Sequence, residues 1–482
     1  MSANNPVGIK AIGSYIPVHR IDRQVFMQAW EFPKDLAVMM VGERSLAHAD
    51  EDVLTMSSEA VLNCLEGQEL SSVDGLYFAS TSSPYWEKAT SSTLAVVADL
   101  RADIAVADFA NSVRSGHMAL KAAVDAVKAG SARNIVVATS DIRLNEPEYY
   151  MEAMMGDGAG ALLVGQGGNI ICEILDYCSV NQEFFDVWRK KEDSYLNYDD
   201  ERFANLYGYL NVTKQAVQGL LKKAGLKPED VSKTIAFAPH GAAYMALAKG
   251  SGPLAMTFNQ DPLLLSVGNL GSASTFLQLA LVLEDASPGD RILLIGYGDG
   301  ADAFLLRVTD GIKNLPKKRS IRDWLNSKKS FTSYAKYLKW REMLRLKEGI
   351  WPKDPFTSIA YLYREQKQDL GLHGKKCNKC GTVWFPAGRV CYACQTKDDY
   401  SDIKLSRRGK IVTYTVERAI PAPETPVGMT VVDMSGGGRF LTQFTEGNVA
   451  ELKIGMDIEL GLRKYHEAKG FNHYFWKTRP VR

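Results

Sequence analysis

The sequence predicts an α/β fold made of two similar halves, followed by a cysteine cluster and a small all-β domain. Three observations support this: apolar runs that alternate with helical patterns up to about residue 312, motifs that recur there in the same order, and short alternating strands near the C-terminus. Apolar runs this continuous are typical of a sheet buried on both faces. A chain of 482 residues has room for about three domains.

The repeated motifs predict a duplication. In the first half, a small-residue turn at 111–116 precedes a helical pattern, a strand pattern from Arg133 and the segment Gly-Asp-Gly-Ala at 156–159. In the second half, a turn at 269–273 precedes a helical pattern, a strand pattern from Asp290 and Gly-Asp-Gly-Ala at 298–301. Four elements in one order predict two βα repeats, over about 1–168 and 169–312.

Composition and charge exclude several function classes. Hydrophobic residues make up 46% of the chain and charged residues 23%, which is typical of folded proteins. The net charge of +1 gives no global attraction to nucleic acid or to an anionic membrane, so we expect neither as a partner. The sequence has no apolar stretch of membrane-spanning length and no signal-peptide pattern, which predicts a cytoplasmic protein.

Residues 313–374 are predicted to be a basic helical linker. Lys and Arg far outnumber Asp and Glu up to Glu348, and aromatic residues are interleaved with them. Such a pattern occurs on nucleic-acid-binding surfaces, but Trp324, Tyr337 and Trp340 also suit an amphipathic helix on a neighbouring domain. The neutral charge of the whole chain favours the second interpretation.

Four of the seven cysteines lie in one short window, as Cys377-Asn-Lys-Cys380 and Cys391-Tyr-Ala-Cys394. Two such pairs at this spacing can place four thiolates around Zn²⁺, with no ligand position left for water. The sequence therefore predicts a structural zinc site in a rubredoxin-like zinc ribbon at 375–399. Iron in the same cage and a pair of disulfides are the alternatives.

Residues 400–482 contain about five short strand patterns separated by Gly, Pro and Asn turns. Short strands at this density predict a small closed barrel such as an OB fold.

Several segments between residue 7 and about residue 312 carry a family resemblance: Asp50-Glu-Asp-Val-Leu-Thr-Met, Ser83-Pro-Tyr, Ser91-Ser-Thr-Leu-Ala, Val187-Trp-Arg, Gly225-Leu-Lys-Pro-Glu-Asp-Val, Pro239-His-Gly, Gly268-Asn-Leu-Gly-Ser-Ala-Ser and Gly296-Tyr-Gly-Asp-Gly. With them, this region resembles the thiolase superfamily, and within it the archaeal type of 3-hydroxy-3-methylglutaryl-CoA synthase. The resemblance implies a duplicated thiolase-type domain over residues 1–312, a coenzyme A thioester as substrate, transferase chemistry and a homodimer.

The C-terminal segments Cys380-Gly, Trp384-Phe-Pro and Tyr474-Phe-Trp-Lys-Thr-Arg-Pro carry a second resemblance. With them, residues 375–482 resemble the zinc-ribbon and OB-fold proteins that accompany thiolases and related acyl-CoA enzymes. In those systems the small module supports a thiolase-fold partner, so the resemblance also implies a thiolase partner subunit.

Two of the family's reactive groups are missing from this sequence. The family's acyl-accepting cysteine lies at a strand-to-helix turn, where a thiolate is activated. Here that turn places Val113 at the cysteine's position, beside Ser112. The synthase glutamate is expected after the strand at 75–80, where this chain has Thr81 and Ser82.

Two other groups match the family. His240 matches the histidine that orients the thioester and polarises its carbonyl, and Asn269 matches its amide partner. The alternatives are a core histidine at position 240 and, for Asn269, a cap of the helix that begins near Ser272.

Three further residues are candidates by position. Ser112 is a displaced nucleophile only if a base lies within reach, and Tyr297 is a proton donor to a developing alkoxide, with packing beside glycine as its alternative role. The backbone N–H of Gly298 is a candidate donor to a thioester oxygen. We expect His117 to be a helix-start residue rather than the base for Ser112.

The sequence supports three hypotheses of function. The first is an aldol or retro-aldol enzyme that acts on CoA thioesters without an acyl-cysteine. The second is a non-catalytic scaffold that docks an active thiolase through its synthase-like and zinc-ribbon/OB domains. The third is a synthase in which Ser112 takes the acyl group, although serine ionises far less readily than cysteine. Loops such as 176–209 are expected to set substrate specificity.

Overall fold

The structure, a computed structural model, describes residues 6–259, 261–316, 318–344, 357–419 and 424–482. Residues 345–356, which belong to the predicted linker, and 420–423 lie outside the described residues. The chain forms two compact units: the first comprises 1–47, 56–95 and 100–334, and the second comprises 48–55, 96–99 and 335–482.

The first unit contains fourteen strands: β1 (Val7–Tyr15), β2 (His19–Asp22), β3 (Glu43–Leu46), β4 (Val73–Ala79), β5 (Ala105–Phe109), β6 (Asn134–Asp141), β7 (Gly158–Gln166), β8 (Cys172–Asn181), β9 (Val187–Trp188), β10 (Asn197–Tyr198), β11 (Lys233–Ala236), β12 (Arg291–Tyr297), β13 (Gly300–Val308) and β14 (Lys329–Phe331). Nine of them form one sheet in the order β11-β12-β13-β8-β1-β7-β6-β4-β5.

Ten helices accompany these strands, two of which extend a few residues into the second unit: α1 (Gln24–Trp30), α2 (Val53–Leu65), α3 (Thr90–Val97), α4 (Ser115–Lys128), α5 (Met151–Met154), α6 (Glu201–Phe203), α7 (Asn211–Ala224), α8 (Gly241–Lys249), α9 (Ser274–Glu284) and α10 (Ile321–Asn326). A π-helical stretch, Ala204–Leu210, joins α6 to α7. Ser274 to Leu283 of α9 are all buried, as expected of a helix enclosed on every side.

The sheet shows the predicted duplication. From the centre outwards, the first half contributes β1-β7-β6-β4-β5 and the second half β8-β13-β12-β11, and the two halves meet where β1 pairs with β8. Both halves have the same pattern of two antiparallel pairings followed by parallel pairing. Where the first half has the edge strand β5, the described residues of the second half show an isolated parallel bridge between Thr234 and Phe258.

Part of the basic segment is packed into the first unit. Trp324 of α10 is 1% exposed, and its ring lies edge-on to that of Tyr15 with centroids 4.9 Å apart. The Arg319 guanidinium covers the Trp324 ring, and β14 pairs in parallel with β2. The aromatic residues in this part of the segment therefore form intramolecular packing contacts.

The described residues of the second unit form two helices, α11 (Tyr334–Trp340), whose first residue belongs to the first unit, and α12 (Ile359–Asp369). They also form eight strands: β15 (His373–Cys377), β16 (Val383–Trp384), β17 (Tyr400–Lys404), β18 (Arg408–Glu417), β19 (Val427–Met434), β20 (Arg439–Phe444), β21 (Asp457–Ala468) and β22 (Phe471–Pro480). The first three strands form a small sheet in the order β16-β15-β17. The last five close into a barrel in the order β18-β19-β20-β22-β21, which confirms the predicted all-β barrel.

A buried ionic cluster lies within the second unit. Arg463 is fully buried, with a guanidinium nitrogen 3.1 Å from a Glu51 carboxylate oxygen, and Lys477 donates to Asp50 at 2.9 Å. Burial opposes ionisation of Asp50, but the charges of Lys477 and His48 outweigh it and hold the Asp50 pKa well below its usual range. The acidic motif at 50–52 therefore has structural partners inside this unit.

No helix among the described residues is both long enough and apolar enough to span a lipid bilayer.

Candidate functional site

A cavity of about 810 Å³ lies in the first unit. The loops that follow β4, β5, β6 and β12 line it, together with residues 186–198. Because β4 pairs in parallel with both β5 and β6, their carboxyl ends meet at one edge of the sheet, where α/β proteins bind ligands. The volume suits a cofactor-sized molecule.

The cavity lining is rich in charge of both signs. Its basic residues are Lys88, Arg143, Arg189, Lys190 and Lys191, and its acidic residues are Asp108, Asp186, Asp193 and Asp299. Apolar side chains complete it, among them Val113, Met151, Met155, Leu196 and Phe237.

The turn between β5 and α4 places Ser112 and Val113 at the cavity. Val113 packs against the apolar core of the second repeat. The Ser112 hydroxyl accepts a hydrogen bond from the Arg114 N–H at 3.3 Å and donates one to the Asp299 carboxylate. Among the described residues that line the cavity, none is a cysteine.

Gly298 approaches this turn so closely that only glycine fits. A Cβ at position 298 would lie 2.5 Å from Ser112 Oγ, and the residue has a φ of +149°. Its backbone N–H already donates to the Gly300 carbonyl at 3.0 Å. Gly298 therefore lines the cavity through its backbone, and its N–H reaches a substrate oxygen only by giving up that bond.

Tyr297, at the end of β12, is 4% exposed and lines the cavity. Its hydroxyl is hydrogen-bonded to the Asp186 carboxylate, and its ring lies edge-on to that of Tyr209. Burial and the negative charge of Asp186 raise the pKa of Tyr297 well above its ordinary value. The phenol is therefore neutral, and its O–H donates a hydrogen bond to the Asp186 carboxylate.

Asp299 and Asp186 bring two carboxylates to the cavity beside Ser112 and Tyr297. Partial burial and the Asp186 charge raise the pKa of Asp299, against the opposing effect of the hydrogen bond from Ser112. A carboxylate with a raised pKa is a stronger base than an ordinary aspartate.

Sequence reasoning missed both carboxylates, although Asp299 is part of the repeated Gly-Asp-Gly-Ala segment. Its counterpart in the first half, Asp157, is fully buried and accepts a hydrogen bond from the Ala47 N–H at 2.8 Å. The two copies of the motif therefore differ, because Asp157 is a structural acceptor and Asp299 is open to the cavity. No sequence signal singles out Asp186.

Thr81 and Ser82, where the resemblance places the family's glutamate, line the cavity, and their hydroxyls have hydrogen-bond partners. Both donate to one oxygen of the buried Asp141, at 3.0 and 3.1 Å, and the Thr81 N–H donates to the same oxygen at 2.6 Å. These two residues therefore bring hydroxyl groups to the cavity, but no carboxylate that could act as an acid or a base.

His240 caps the N-terminus of α8. Its Nδ1 accepts a hydrogen bond from the Ala243 N–H at 3.3 Å, so the ring proton of the neutral form lies on Nε2. Nε2 lies 2.7 Å from a carboxylate oxygen of Glu201, which also accepts a hydrogen bond from Tyr150. The bond from His240 is the largest of the effects that lower the pKa of Glu201. Both ring nitrogens of His240 thus have protein partners.

Asn269 lines the cavity and is 2% exposed. Its side-chain amide donates to the Pro239 carbonyl at 2.9 Å, and its side-chain oxygen accepts from the Gly271 N–H at 2.9 Å. The first bond ties the turn before α9 to Pro239, the residue before His240. Asn269 is among the described residues that line the cavity, and His240 is not. The second bond is the kind of turn-capping contact that was the alternative interpretation of Asn269.

His117 is buried in α4, and burial lowers its pKa to about 4. It is neutral and packs near Phe276 and Phe304. The carboxylate of Asp299, rather than His117, is the basic group that contacts Ser112.

The four clustered cysteines meet within the second unit. Their sulfur atoms all lie within 4.8 Å of one another, and the pairs Cys377–Cys394 and Cys380–Cys391 are 3.6 Å apart. Four sulfurs at about 2.3 Å from one zinc ion form a tetrahedron with edges of about 3.8 Å, whereas disulfide sulfurs are about 2.05 Å apart. The donor set therefore fits a four-coordinate metal ion better than two disulfides.

Comparison with known proteins finds hydroxymethylglutaryl-CoA synthases among the relatives of this chain. The chain is 30% identical to a hydroxymethylglutaryl-CoA synthase of Pyrobaculum arsenaticum over 348 residues, which cover 70% of this chain and 99% of that protein. It is 29% identical over 345 residues to the synthase of Methanocaldococcus jannaschii, again covering 70% and 99%.

Solved structures share the fold. MvaS in complex with 3-hydroxy-3-methylglutaryl coenzyme A aligns with a TM-score of 0.62 at 18% identity, over 73% of this chain and 95% of that chain. An HMG-CoA synthase complexed with CoA aligns with a TM-score of 0.62 at 20% identity, over 69% and 90%. The family of ChsH2 C-terminal OB-fold domains matches residues 402–463.

Proposed function

This chain belongs to the hydroxymethylglutaryl-CoA synthase family, and from that premise we propose that it forms or cleaves a carbon–carbon bond in a CoA thioester by an aldol or retro-aldol step. The observation that carries the proposal is the pair of carboxylates, Asp186 and Asp299, in a cavity that presents Val113 in place of a cysteine. Such a site has a base but no thiolate nucleophile.

The cavity suits a CoA thioester in size and charge. Two relatives of the fold are described with CoA or 3-hydroxy-3-methylglutaryl coenzyme A bound. In this chain the exposed Lys190 and Lys191 line the cavity, and the Lys191 ammonium lies 5.7 Å from the centre of the exposed Trp86 ring. Ammonium groups beside an exposed aromatic ring suit the phosphates and the adenine of CoA.

Asp299 is the base of the proposed reaction. In the cleavage direction, its carboxylate takes the proton of a β-hydroxyl group, the bond between Cα and Cβ breaks, and the electron pair moves into the thioester enolate. The carbonyl product leaves, and the same proton then returns to Cα, which restores the carboxylate. Tyr297 holds Asp186 through its hydrogen bond, and the Asp186 charge keeps Asp299 basic.

We propose that His240 donates a hydrogen bond to the thioester oxygen and that Asn269 helps to position His240. The Nε2–H of His240 becomes free to donate to the substrate when its contact with the Glu201 carboxylate breaks. The Glu201 side chain is 45% exposed, so it has room to move away. Asn269 keeps the His240 strand end in place through its bond to Pro239. A donor aimed at the enolate oxygen stabilises the charge that develops there.

We also propose that Cys377, Cys380, Cys391 and Cys394 hold a structural zinc ion. The hydroxyls of Thr382 and Thr396 lie 3.2 Å from the sulfurs of Cys380 and Cys394, as expected of groups that orient metal ligands. The ion would stabilise the fold of residues 373–404, where the buried Cys377 and Cys391 form a small core cluster with Trp384.

A homodimer is proposed through β5. This strand is the edge of the nine-stranded sheet, and Ala105, Val106 and Asp108 on it are exposed. An uncovered edge strand with exposed apolar residues offers backbone groups to a second copy of the sheet.

The scaffold hypothesis is the second candidate, and a specific observation favours it. The groups inherited from the family are committed within the protein: His240 to Glu201 and Ala243, Asn269 to Pro239 and Gly271. On this hypothesis the chain supports an active thiolase and co-purifies with it from the native host.

The test is the intact mass of the purified protein after incubation with acetyl-CoA and other acyl-CoAs, with release of products followed in parallel. The aldol proposal predicts turnover of a CoA thioester without an acyl adduct. Val113→Cys is the positive control, since it restores a thiol at the turn and is expected to gain one acyl group. An adduct on wild-type protein that Ser112→Ala abolishes would establish the acyl-serine synthase instead, and absence of all turnover would favour the scaffold.

A further inference from the structure

The two copies of the Gly-Asp-Gly-Ala segment have different backbone conformations. In the second copy, Gly298, Asp299 and Gly300 have positive φ angles of 149°, 51° and 121°. In the first copy, residues 156–158 all lie outside this region. A residue with a Cβ is disfavoured at positive φ, and such strain persists only where the surrounding structure holds it. The turn at 298–300 therefore needs contacts that hold it, and the turn at 156–158 does not.

Arg114, the residue before α4, supplies these contacts. Its side chain is 9% exposed, and its Nη2 donates to the backbone carbonyl of Asp299 at 3.1 Å. Its Nη1 donates to a carboxylate oxygen of Asp302 at 3.2 Å. Its backbone N–H donates to Ser112 Oγ at 3.3 Å, and that hydroxyl donates to the Asp299 carboxylate. One arginine therefore joins the turn before α4 to the turn after β12.

Asp302 anchors the guanidinium of Arg114. It is fully buried, and the oxygen that contacts Arg114 also accepts hydrogen bonds from the Tyr177 hydroxyl at 2.8 Å and the Ser179 hydroxyl at 2.6 Å. The first copy of the segment has Gly160 at the matching position. A planar guanidinium has donors on several nitrogens, so it can hold a carboxylate and a backbone carbonyl at once.

We propose that Arg114 is a positioning residue, which holds the strained 298–300 turn so that the Asp299 carboxylate faces the cavity. The inference rests on the proposed function, in which Asp299 is the general base. Arg114 acts through Asp299 and takes no part in proton transfer, because a guanidinium is too weak an acid. Displacement of a reacting group by about 1 Å can lower a rate by about a hundredfold.

The charge of Arg114 acts on the same carboxylate. Burial and the charges of Asp186 and Glu183 raise the pKa of Asp299, whereas the hydrogen bond from Ser112 and the charge of Arg114 lower it. Removal of the Arg114 charge is therefore expected to raise the pKa of Asp299 further. This shift is opposite in sign to the one expected when the Asp186 charge is removed.

Steady-state kinetics of Arg114→Gln in the full-length protein test the inference. The kcat is expected to fall by about tenfold to a hundredfold, and the acid limb of kcat/KM is expected to move to higher pH by up to about one unit. In an Asp299→Asn background, the same substitution is expected to lower turnover by less than about twofold. Two residues that act through one group have non-additive effects, whereas a general loss of stability does not depend on Asp299.

A second variant covers the case in which Arg114→Gln does not fold. Loss of one partner leaves a buried charge uncompensated, whereas replacement of both partners is better tolerated. Arg114→Gln/Asp302→Asn is therefore expected to have a higher Tm than Arg114→Gln and still to lose kcat, because its turn has lost the guanidinium. A wild-type kcat in this folded variant would overturn the inference.

Arg44→Gln is the matched control. Arg44 contacts the Asp157 carboxylate of the first copy at 3.8 Å, and both side chains are buried. Loss of Arg44 is expected to lower the Tm, as loss of one partner from a buried pair does, and to leave the acid limb at the same pH.

Two kinetic results would contradict the role of Arg114. An acid limb that stays in place in Arg114→Gln, or a full further loss of turnover in the Asp299→Asn background, would make Arg114 a structural residue only. If wild-type protein turned over no CoA thioester, the proposed function would fail by itself. A ¹³C NMR titration of the aspartate carboxyl groups, with Asp299 assigned through Asp299→Asn, would then decide, and an Asp299 pKa that is unchanged in Arg114→Gln would overturn the inference.

Discussion

The cavity and the cysteine cluster differ in whether the side chains expected from the sequence patterns are present. In the cysteine cluster, all four donors of the pattern are present and their sulfurs lie within 4.8 Å of one another. In the cavity, the lining includes Val113 and Thr81, at positions where the family resemblance places reactive side chains. A metal site fails when one donor is lost, whereas a cavity keeps its shape when its reactive groups change, because the core behind it supplies the stability.

The same contrast is visible between the two copies of the Gly-Asp-Gly-Ala segment. Asp157 is fully buried and is a hydrogen-bond acceptor within the first half, while Asp299 faces the cavity. One copy of the motif therefore makes a structural contact, while the other is exposed to the cavity and has a chemical role only in the proposed function.

The largest expected effect is at the cysteine cluster. Cys391 is fully buried, and Cys391→Ser is expected to abolish zinc binding and unfold the ribbon, since structural zinc contributes about 10 kcal/mol or more to small zinc domains. Zinc per chain by mass spectrometry and hydrogen exchange over residues 373–404 check it. Cys178→Ser, outside the cluster, is the control and is expected to leave both unchanged. Full zinc content in Cys391→Ser would contradict the assignment.

The next largest effect is expected at Asp299, the proposed general base. Asp299→Asn is expected to lower turnover of a CoA thioester by about a hundredfold or more, because loss of a general base typically costs that much. Ser112→Ala removes the neighbouring hydroxyl, and we expect less than a tenfold change, since no acyl-serine forms. Steady-state kinetics of the two variants measure the difference. The reverse order of effects would point to Ser112 as nucleophile.

The smallest effect concerns pH. The Asp186 charge contributes to the raised pKa of Asp299, so activity is expected to fall as pH decreases through a value above that of an ordinary aspartate. In Asp186→Asn that charge is absent, the Asp299 pKa falls, and the acid limb of kcat/KM is expected to move to lower pH by up to about one unit. Asp193→Asn, on the same lining, serves as control. An acid limb that stays at the same pH in Asp186→Asn would show that the Asp186 charge does not control the pKa of the general base.

Much of the fold could be predicted from the sequence because its signals are local. The repeated order of motifs anticipated the two halves of the nine-stranded sheet, and the short strands after residue 400 anticipated the closed barrel. The two halves also differ in a way that the sequence pattern did not reveal. Where the first half has the strand β5, the described residues of the second half have a single bridge at Phe258. A strand reduced to one bridge leaves no alternating pattern to read.

The candidate site was less accessible to sequence reasoning. Asp186 and Asp299 are 113 positions apart in the sequence and meet only when β13 pairs with β8. Arg143 carries no motif, and only the fold shows that it is 7% exposed and lies on the cavity lining. Neither proximity nor desolvation is a property of the residue type, so neither could be inferred before the fold was known.

By itself, the sequence determined that the α4 turn has no cysteine and that four thiols lie within one short window, since both are matters of composition and spacing. Only the tertiary structure decided where charge lies in the cavity. The energy of an ionised group depends on its burial and on the charges around it, and both are fixed only when distant segments fold against one another.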